Sequence, residues 1–254
     1  HNYQGAHGVL PPGVTDSQGP IASRPQGQHV SWLVHVLPYI DEQVTFQHVD
    51  LSVGVYSKAN APARDVGIEL FVCPSYTGQP KVQGGWMSNY AGCHHDVEAP
   101  IDEDNHGVFY LNSHVSSKEI LDGATHTIFV GEKLGNARDL GWMSGTRATL
   151  RNTGTPINCT TADTGGWSDW EEGDRDPFWV EDASVDEFLD EEIDLQKPTY
   201  VGGFGSDHPA LANFLFGDGA VRAVSEDITP AVLQQLGHRA DGKLLTDGPT
   251  RGGR

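Results

Sequence analysis

A chain of 254 residues is long enough for one large domain with a buried core, and its 31 glycines and 15 prolines indicate a fold rich in turns. The formal net charge of −19 argues against nucleic acid and anionic membrane surfaces as partners, because both require a basic face. Three cysteines are too few for a disulfide scaffold, and the sequence has no apolar run of about 18 residues of the kind that spans a bilayer.

The N-terminal part of the chain predicts an extended lead followed by a helix. The first 30 residues are rich in Gly, Pro and Gln and show no sustained period. Apolar residues then recur at helical spacing from Trp32 to Val44, and Ser31 precedes them in the position of an N-cap. Pro38 lies inside this pattern and is expected to kink or divide the helix.

Short apolar segments in the middle of the chain predict a sheet. The strands or strand-like turns are IELFVCPS (68–75), SNYAG (88–92), HGVFYLNS (106–113) and THTIFVGEKL (125–134), of which the last has the strongest strand pattern. SSKEILDG (116–123) predicts one or two helical turns. Together these segments predict an α+β fold, in which an antiparallel sheet packs against helices on one side.

Residues 141–203 are predicted to be a variable insertion in a single domain that spans residues 1–254. Gly, Thr, Trp and Asp dominate this region, and it has little continuous apolar periodicity. Its segment ASVDEFLDEEID (183–194) predicts a short amphipathic helix. Half of the residues from Asp169 to Asp194 are acidic, so this part of the insertion carries most of the net charge.

The segment SDHPALANFLFGDGAVRAVSE (206–226) predicts a β-hairpin. ANFLF and AVRAV are apolar, β-prone runs, and Asp218-Gly219 between them offers a tight turn because Gly219 tolerates a positive φ. His208 is expected to donate to a carbonyl or carboxylate across the hairpin and pin the turn, since no nucleophile partner is visible for a general base. A last helix is predicted to begin near Thr229, which precedes a proline.

Four parts of the chain, taken together and in this order, resemble a known family. They are HNYQGAHGVLPPG, SWLVHVLPYIDEQ, FVCPS with SNYAG, and LDGATHTIFVGE with the hairpin segment. The chain resembles the prepilin-like family of unknown function that is abundant in planctomycete genomes, whose C-terminal signature is His, nine residues, Asp-Gly. In this sequence the signature falls on His208, Asp218 and Gly219.

The resemblance implies a pilin-like or pseudopilin-like protein. Such a protein is exported after cleavage of a leader, and an apolar N-terminal helix precedes the part that begins here at His1. It implies a pilin-like head whose stalk is absent from this chain and is its only link to a membrane. The implied function is that of a structural subunit in a filament or cell-surface assembly, with copies of itself or other filament subunits as neighbours, no required cofactor and no enzymatic activity.

The alternative function is an exported, calcium-dependent module that binds a glycan or a protein. Its ligands would come from an acidic group in the insertion: Asp163, Asp169, Glu171, Glu172, Asp174 and Asp176. A second acidic loop, DEDNHGVFYLNS (102–113), begins like a calcium-binding loop but ends in Ser113 where a bidentate Glu belongs. We interpret it as an acidic surface turn, and a solvated acidic face competes with the calcium interpretation of the insertion.

Other motifs carry weaker signals. CHHD (93–96) contains three ligand types for a transition metal, but adjacent strand residues point to opposite faces, so His106 or His114 would have to approach. An Asp-Thr-Gly tripeptide (163–165) lacks the second copy and the apolar lead-in of an aspartic protease. If the compartment is oxidising, Cys73 and Cys93 are the pair expected to form a disulfide.

Overall fold

The computed structural model describes residues 1–136, 139–159 and 198–243. Its helices are α1 (Asn2–His7), α2 (Trp32–Val36), α3 (Gln43–Gln47), α4 (Ala61–Arg64) and α5 (Pro230–Gly237). Its strands are β1 (Val14–Thr15), β2 (Val30–Ser31), β3 (Lys81–Val82), β4 (Gly85–Trp86), β5 (Tyr90–His95), β6 (Ile128–Glu132), β7 (Leu150–Asn152), β8 (Leu211–Phe216) and β9 (Val221–Ser225). The fold class is therefore α+β, as the sequence predicts.

The centre of the fold is a five-stranded sheet in the order β7-β5-β6-β8-β9. Its neighbouring strands are antiparallel except for β5 and β7, which are parallel. The remaining strands form two small antiparallel pairs, β1 with β2 and β3 with β4. The parallel pair is a difference from the expected antiparallel sheet, and one of its two strands, β7, lies in the region that the sequence assigned to the insertion.

Both faces of the sheet are covered, whereas the sequence pattern indicated helices on one side. The first core contains Trp32 and Leu33 of α2 together with Phe129 of β6. The second core contains the adjacent β6 residue, Ile128, together with Leu233 of α5. Successive side chains of a strand point to opposite faces, so β6 supplies both cores and is buried along its whole length.

Several predicted elements are confirmed. SNYAG opens β5, THTIFVGEKL contains β6, and the two apolar runs of the hairpin form β8 and β9. Thr229 is the N-cap of α5, and Pro230 occupies its first turn, where a missing N–H costs nothing. The predicted helix is divided near Pro38, because a 3₁₀ turn over Leu37–Tyr39 separates α2 from α3.

Other predictions are wrong. IELFVCPS is not a strand: a 3₁₀ turn occupies Glu69–Phe71, and it brings Cys73 to the end of the sheet. The N-terminal lead contains α1, which has no buried residue and therefore no apolar stripe by which to recognise it. The described start of the proposed insertion belongs to the core, since Trp142, Met143 and Leu150 are buried there. The predicted helix at 183–194 lies outside the described residues.

The described segments before and after residues 160–197 are joined by one set of hydrogen bonds, which we call the stem: it consists of Glu98, Asn152, Val201 and Gly202. The carboxylate of Glu98 accepts hydrogen bonds from the backbone N–H groups of Val201 and Gly202, both at 2.9 Å. The same carboxylate accepts a hydrogen bond of 2.7 Å from the side-chain amide of Asn152. One carboxylate thus connects the two segments of the chain that flank residues 160–197.

No helix in the described ranges is long and apolar enough to cross a bilayer.

Candidate functional site

The Asp-Gly half of the signature forms the turn between β8 and β9. Gly219 has a φ of 84°, which a residue with a side chain adopts at a cost. Asp218 Oδ1 accepts a hydrogen bond of 2.9 Å from the backbone N–H of Ala220, and Asp218 Oδ2 pairs with Arg222. These bonds lower the pKa of the exposed Asp218 carboxyl, led by the one from Ala220. Both residues shape the turn.

His208 lies at the other end of β8 and does not pin this turn. Strand β8 separates the two ends of the signature by roughly 20 Å, given about 3.3 Å per residue. His208 Nε2 lies 3.5 Å from Oε1 of Glu132, the last residue of the neighbouring strand β6. The expected contact with a carboxylate is therefore present, but it joins the end of β6 to the loop before β8, at the end of β8 away from the turn.

A cysteine completes a three-residue cluster around His208. Cys73 Sγ lies 3.8 Å from His208 Nε2 and 3.6 Å from Glu132 Oε1. The three side-chain atoms lie within 4.8 Å of one another and belong to residue types that bind metal ions. The Glu132 side chain is 5 % exposed and that of His208 is 30 % exposed, so the cluster opens to solvent on the histidine side.

Two asparagines hold this cluster in place. The side-chain oxygen of Asn89 accepts a hydrogen bond of 3.0 Å from the backbone N–H of Cys73. Asn213 donates to Glu132 Oε2 from its backbone N–H at 2.8 Å and from its side chain at 3.1 Å. Glu132 Oε1 therefore remains directed at Cys73 and His208. A cavity of about 10 Å³ adjoins the cluster, which is room for about one water molecule.

Sequence reasoning missed Cys73 and Glu132 as partners of His208. Cys73 is 59 positions from Glu132 and 135 from His208, and the pairing of β6 with β8 and the 3₁₀ turn before Cys73 bring these residues together. A signal was nevertheless present: FVCPS, SNYAG and the segment ending in VGE, three of the segments that carry the family resemblance, contain Cys73, Asn89 and Glu132.

The CHHD motif forms a second cluster with His106, one of the two residues that the sequence required to approach. Asp96 Oδ1 lies 2.6 Å from His95 Nδ1 and 2.9 Å from His106 Nδ1. Burial raises the pKa of Asp96, but the hydrogen bonds from both imidazoles outweigh burial and leave it well below its ordinary value. The two distances to Asp96 Oδ1 are those of hydrogen bonds, so the cluster is a hydrogen-bonded network.

Cys73 and Cys93 lie in different surroundings and do not form a disulfide bond. Cys93 lies in the second core, where its thiol contacts the carbonyl oxygens of His95 and Gly237 at 3.8 and 3.7 Å. Burial raises the pKa of the Cys93 thiol, which makes it a poor nucleophile. The expected disulfide is therefore wrong for this structure, and Cys73 is the thiol that faces polar groups.

The structure bears on the two acidic regions unequally. In the 102–113 loop, the carbonyl oxygens of Asn105 and Gly107 accept hydrogen bonds of 2.6 and 2.8 Å from the Arg239 side chain. His106 Nδ1 in the same loop lies 2.9 Å from Asp96 Oδ1. These contacts tie the segment to the rest of the protein, and Val108, Phe109, Leu111 and Ser113 are buried, so only its acidic start is a surface turn. The six calcium-ligand candidates lie outside the described residues: Asp163, Asp169, Glu171, Glu172, Asp174 and Asp176.

We expect Gly219→Ala to destabilise the protein by about 1–2 kcal/mol, because alanine resists the positive φ of the turn. The new methyl group would meet only the ring of His1, at 3.5 Å from Nε2 and 3.9 Å from Cδ2, so the cost comes from the backbone. Urea denaturation measures the change. Gly5→Ala is the matched control, since it adds a methyl group with no atom within 4 Å and should not destabilise α1. Equal stability of the two variants would contradict the turn's role.

Comparison with known proteins extends along most of the chain. Residues 1–231 match the family described as "Protein of unknown function (DUF1559)", and this range includes the cluster, the hairpin and the start of α5. No curated protein and no solved structure matches the chain. The matched range covers far more than half of the sequence, and the chain therefore belongs to the DUF1559 family of proteins of unknown function.

Proposed function

We propose that the protein is the globular head of an exported pilin-like subunit that assembles into a filament or another cell-surface structure. In this proposal an apolar N-terminal helix, implied by the resemblance, leads into α1 and links the head to the membrane or to the filament core. The neighbours in the assembly are copies of the same subunit or related subunits. The role is structural and includes no catalysis.

One observation carries the proposal: an apolar groove of about 130 Å³ lies between the N-terminal segment and the sheet. Its lining comes from α1 and the residues that follow it, from α2, and from β6 and β8, and it includes Tyr3, Leu10, Trp32, Val36, Phe129, Val130 and Leu215. An apolar groove beside the start of α1 suits a helix that enters there and packs across the sheet. The Asp-Gly turn lies beside the same point, since His1 is a neighbour of Gly219.

The contacts of α1 support a fixed direction of entry. Tyr3 stacks on His7 with ring centroids 4.2 Å apart, and His7 Nε2 lies 2.7 Å from the hydroxyl of Tyr39. Gln4 donates a hydrogen bond of 2.8 Å to Ser117. These contacts attach the helix to the body of the protein although none of its residues is buried. A stalk that continued α1 would therefore leave the head at a defined angle.

The experiment is electron cryo-microscopy of the native, full-length protein from its own cell surface, with calcium retained. We expect ordered filaments or surface arrays in which these heads surround a helical core. Val36→Glu places a charge in the groove and should abolish or shorten the assemblies, while the exposed Val44→Glu serves as the matched control. Thermal unfolding checks that both variants fold. Isolated heads without a repeat, or assemblies unchanged by Val36→Glu, would contradict the proposal.

A further inference from the structure

We propose that Cys73, Glu132 and His208 form a binding site for one zinc ion, with a water molecule as the fourth ligand. This inference goes beyond the proposed structural role and does not depend on it. It gives a role to His208, the histidine of the signature, which does not pin the turn of the hairpin.

The spacing of the three atoms fits a shared metal ion. Zinc bonds of about 2.3 Å to sulfur and about 2.0–2.1 Å to nitrogen or oxygen at tetrahedral angles place the ligand atoms roughly 3.3–3.6 Å apart. The observed separations are 3.5 Å for His208–Glu132, 3.6 Å for Cys73–Glu132 and 3.8 Å for Cys73–His208. A direct hydrogen bond from imidazole to carboxylate is shorter, as at Asp96, where the corresponding distances are 2.6 and 2.9 Å.

The same geometry argues against a thiol nucleophile with a histidine base. In a nucleophile–histidine–acid arrangement the nucleophile and the carboxylate contact different nitrogens of the imidazole ring. Here the thiol of Cys73 and the carboxylate of Glu132 both approach His208 Nε2. Glu132 cannot orient the ring from the far side, whereas three donors that converge on one point are what a metal ion needs.

The chemistry of the donors selects zinc over calcium or magnesium. Thiolate and imidazole are ligands of zinc and related transition metals, whereas calcium and magnesium take oxygen ligands. Within the described part of the chain, the Glu132 carboxylate accepts hydrogen bonds from the neutral groups of Asn213 and Cys73. A divalent cation balances the charges of the Glu132 carboxylate and the Cys73 thiolate, and the thiol releases its proton when the ion binds.

The surroundings complete a three-ligand site. Asn213 fixes Glu132 through Oε2 and leaves Oε1 for the ion, and Asn89 fixes the backbone of Cys73. Such outer partners orient metal ligands and raise affinity. The adjoining cavity of about 10 Å³ has room for the water, and the partly exposed His208 gives access from solvent.

The test measures zinc binding to the untagged full chain after treatment with a chelator. We expect one equivalent of zinc by calorimetry, and with cobalt as the probe, a thiolate-to-cobalt charge-transfer band and tetrahedral d–d bands. Cys73→Ser should abolish the charge-transfer band, and His208→Ala and Glu132→Gln should each weaken zinc binding by more than about 100-fold, since even outer-partner changes cost 10–100-fold. His106→Ala is the control and should bind zinc normally.

Each outcome of these measurements either supports or overturns the proposed zinc site. No zinc binding by the wild-type chain overturns the proposal, and so does a cobalt complex without a thiolate band or one that is lost in His106→Ala. If Cys73→Ser does not fold, as circular dichroism would reveal, His208→Ala and Glu132→Gln still test the site. Zinc affinity unchanged in both would overturn it.

Discussion

Lowering the pH from 7.5 to 5 should reduce the protein's free energy of unfolding by about 6 kcal/mol, because three histidines are buried in their uncharged form. Burial lowers the pKa of His29 and His35 to about 4 and that of His94 to about 3, from an ordinary value of 6.5. In the unfolded chain these imidazoles take up protons below about pH 6.5, but in the folded protein they resist protonation.

The sign and size of the effect follow from these values. The unfolded state binds more protons than the folded state between pH 6.5 and about 4, so stability falls as the pH falls through this window. Each histidine contributes about 1.4 kcal/mol per pH unit, or about 4 kcal/mol per unit for the three together. A typical domain has only about 5–15 kcal/mol of stability to lose.

Each of these histidines has a polar neighbour, and the one beside His94, Asn105, raises its pKa and so partly opposes the effect of burial. His29 Nδ1 lies 2.7 Å from the Tyr56 hydroxyl, and His94 Nδ1 lies 3.0 Å from the side-chain oxygen of Asn105. His35 Nε2 lies 3.2 Å from the hydroxyl of Thr15. A carboxylate, Asp16, lies 3.8 Å from His29 and partly opposes the effect of burial there.

Urea denaturation at pH 7.5, 6.5, 5.5 and 5.0, with a chelator present, measures this dependence. The free energy of unfolding should fall steeply below pH 6.5, and His94→Gln should reduce the slope by about one proton. The control, His48→Asn, changes an exposed histidine and should leave the slope unchanged. Equal urea midpoints at pH 7.5 and 5.0 would refute the prediction.

The second large effect concerns a buried ion pair. The Lys133 ammonium contacts the Asp139 carboxylate, and their side chains are 0 % and 3 % exposed. Asp139→Asn keeps the shape of the side chain but leaves the lysine charge without its carboxylate in the interior. We expect a loss of about 3–5 kcal/mol in the free energy of unfolding, measured in urea at pH 7.5.

An exposed pair supplies the matched control. Lys81 and Asp65 lie 3.7 Å apart, with side chains 66 % and 58 % exposed. Asp65→Asn should cost less than about 1 kcal/mol, because water already screens this pair. In the double variant Lys133→Met with Asp139→Leu, most of the lost stability should return. If Asp139→Asn is no more costly than Asp65→Asn, the buried pair does not have the role assigned to it.

The elements that could be predicted from the sequence are those encoded locally. The β8–β9 hairpin depends on two apolar runs and a turn with Gly219 at positive φ, and α5 depends on Thr229 followed by proline. The parallel pairing of β5 with β7 depends on contacts between distant segments, and only three residues form β7, so no local period indicates it.

In the candidate site, too, the locally encoded part could be predicted from the sequence and the part set by distant contacts could not. His208 was recognised from its signature, but its partners are fixed by strand pairing and by the 3₁₀ turn before Cys73. The spacing within the signature also has a structural reason, since strand β8 lies between His208 and Asp218. A histidine and an Asp-Gly pair at this distance therefore indicate two places in the fold rather than one site.

The stem held by Glu98 makes the fold tolerant of change at one position. Because one carboxylate holds Asn152, Val201 and Gly202 together, we expect the sheet to tolerate changes in the length of the chain between 159 and 198. We therefore expect that the segment between 159 and 198 can be exchanged for another while the scaffold, its cluster and its groove remain the same.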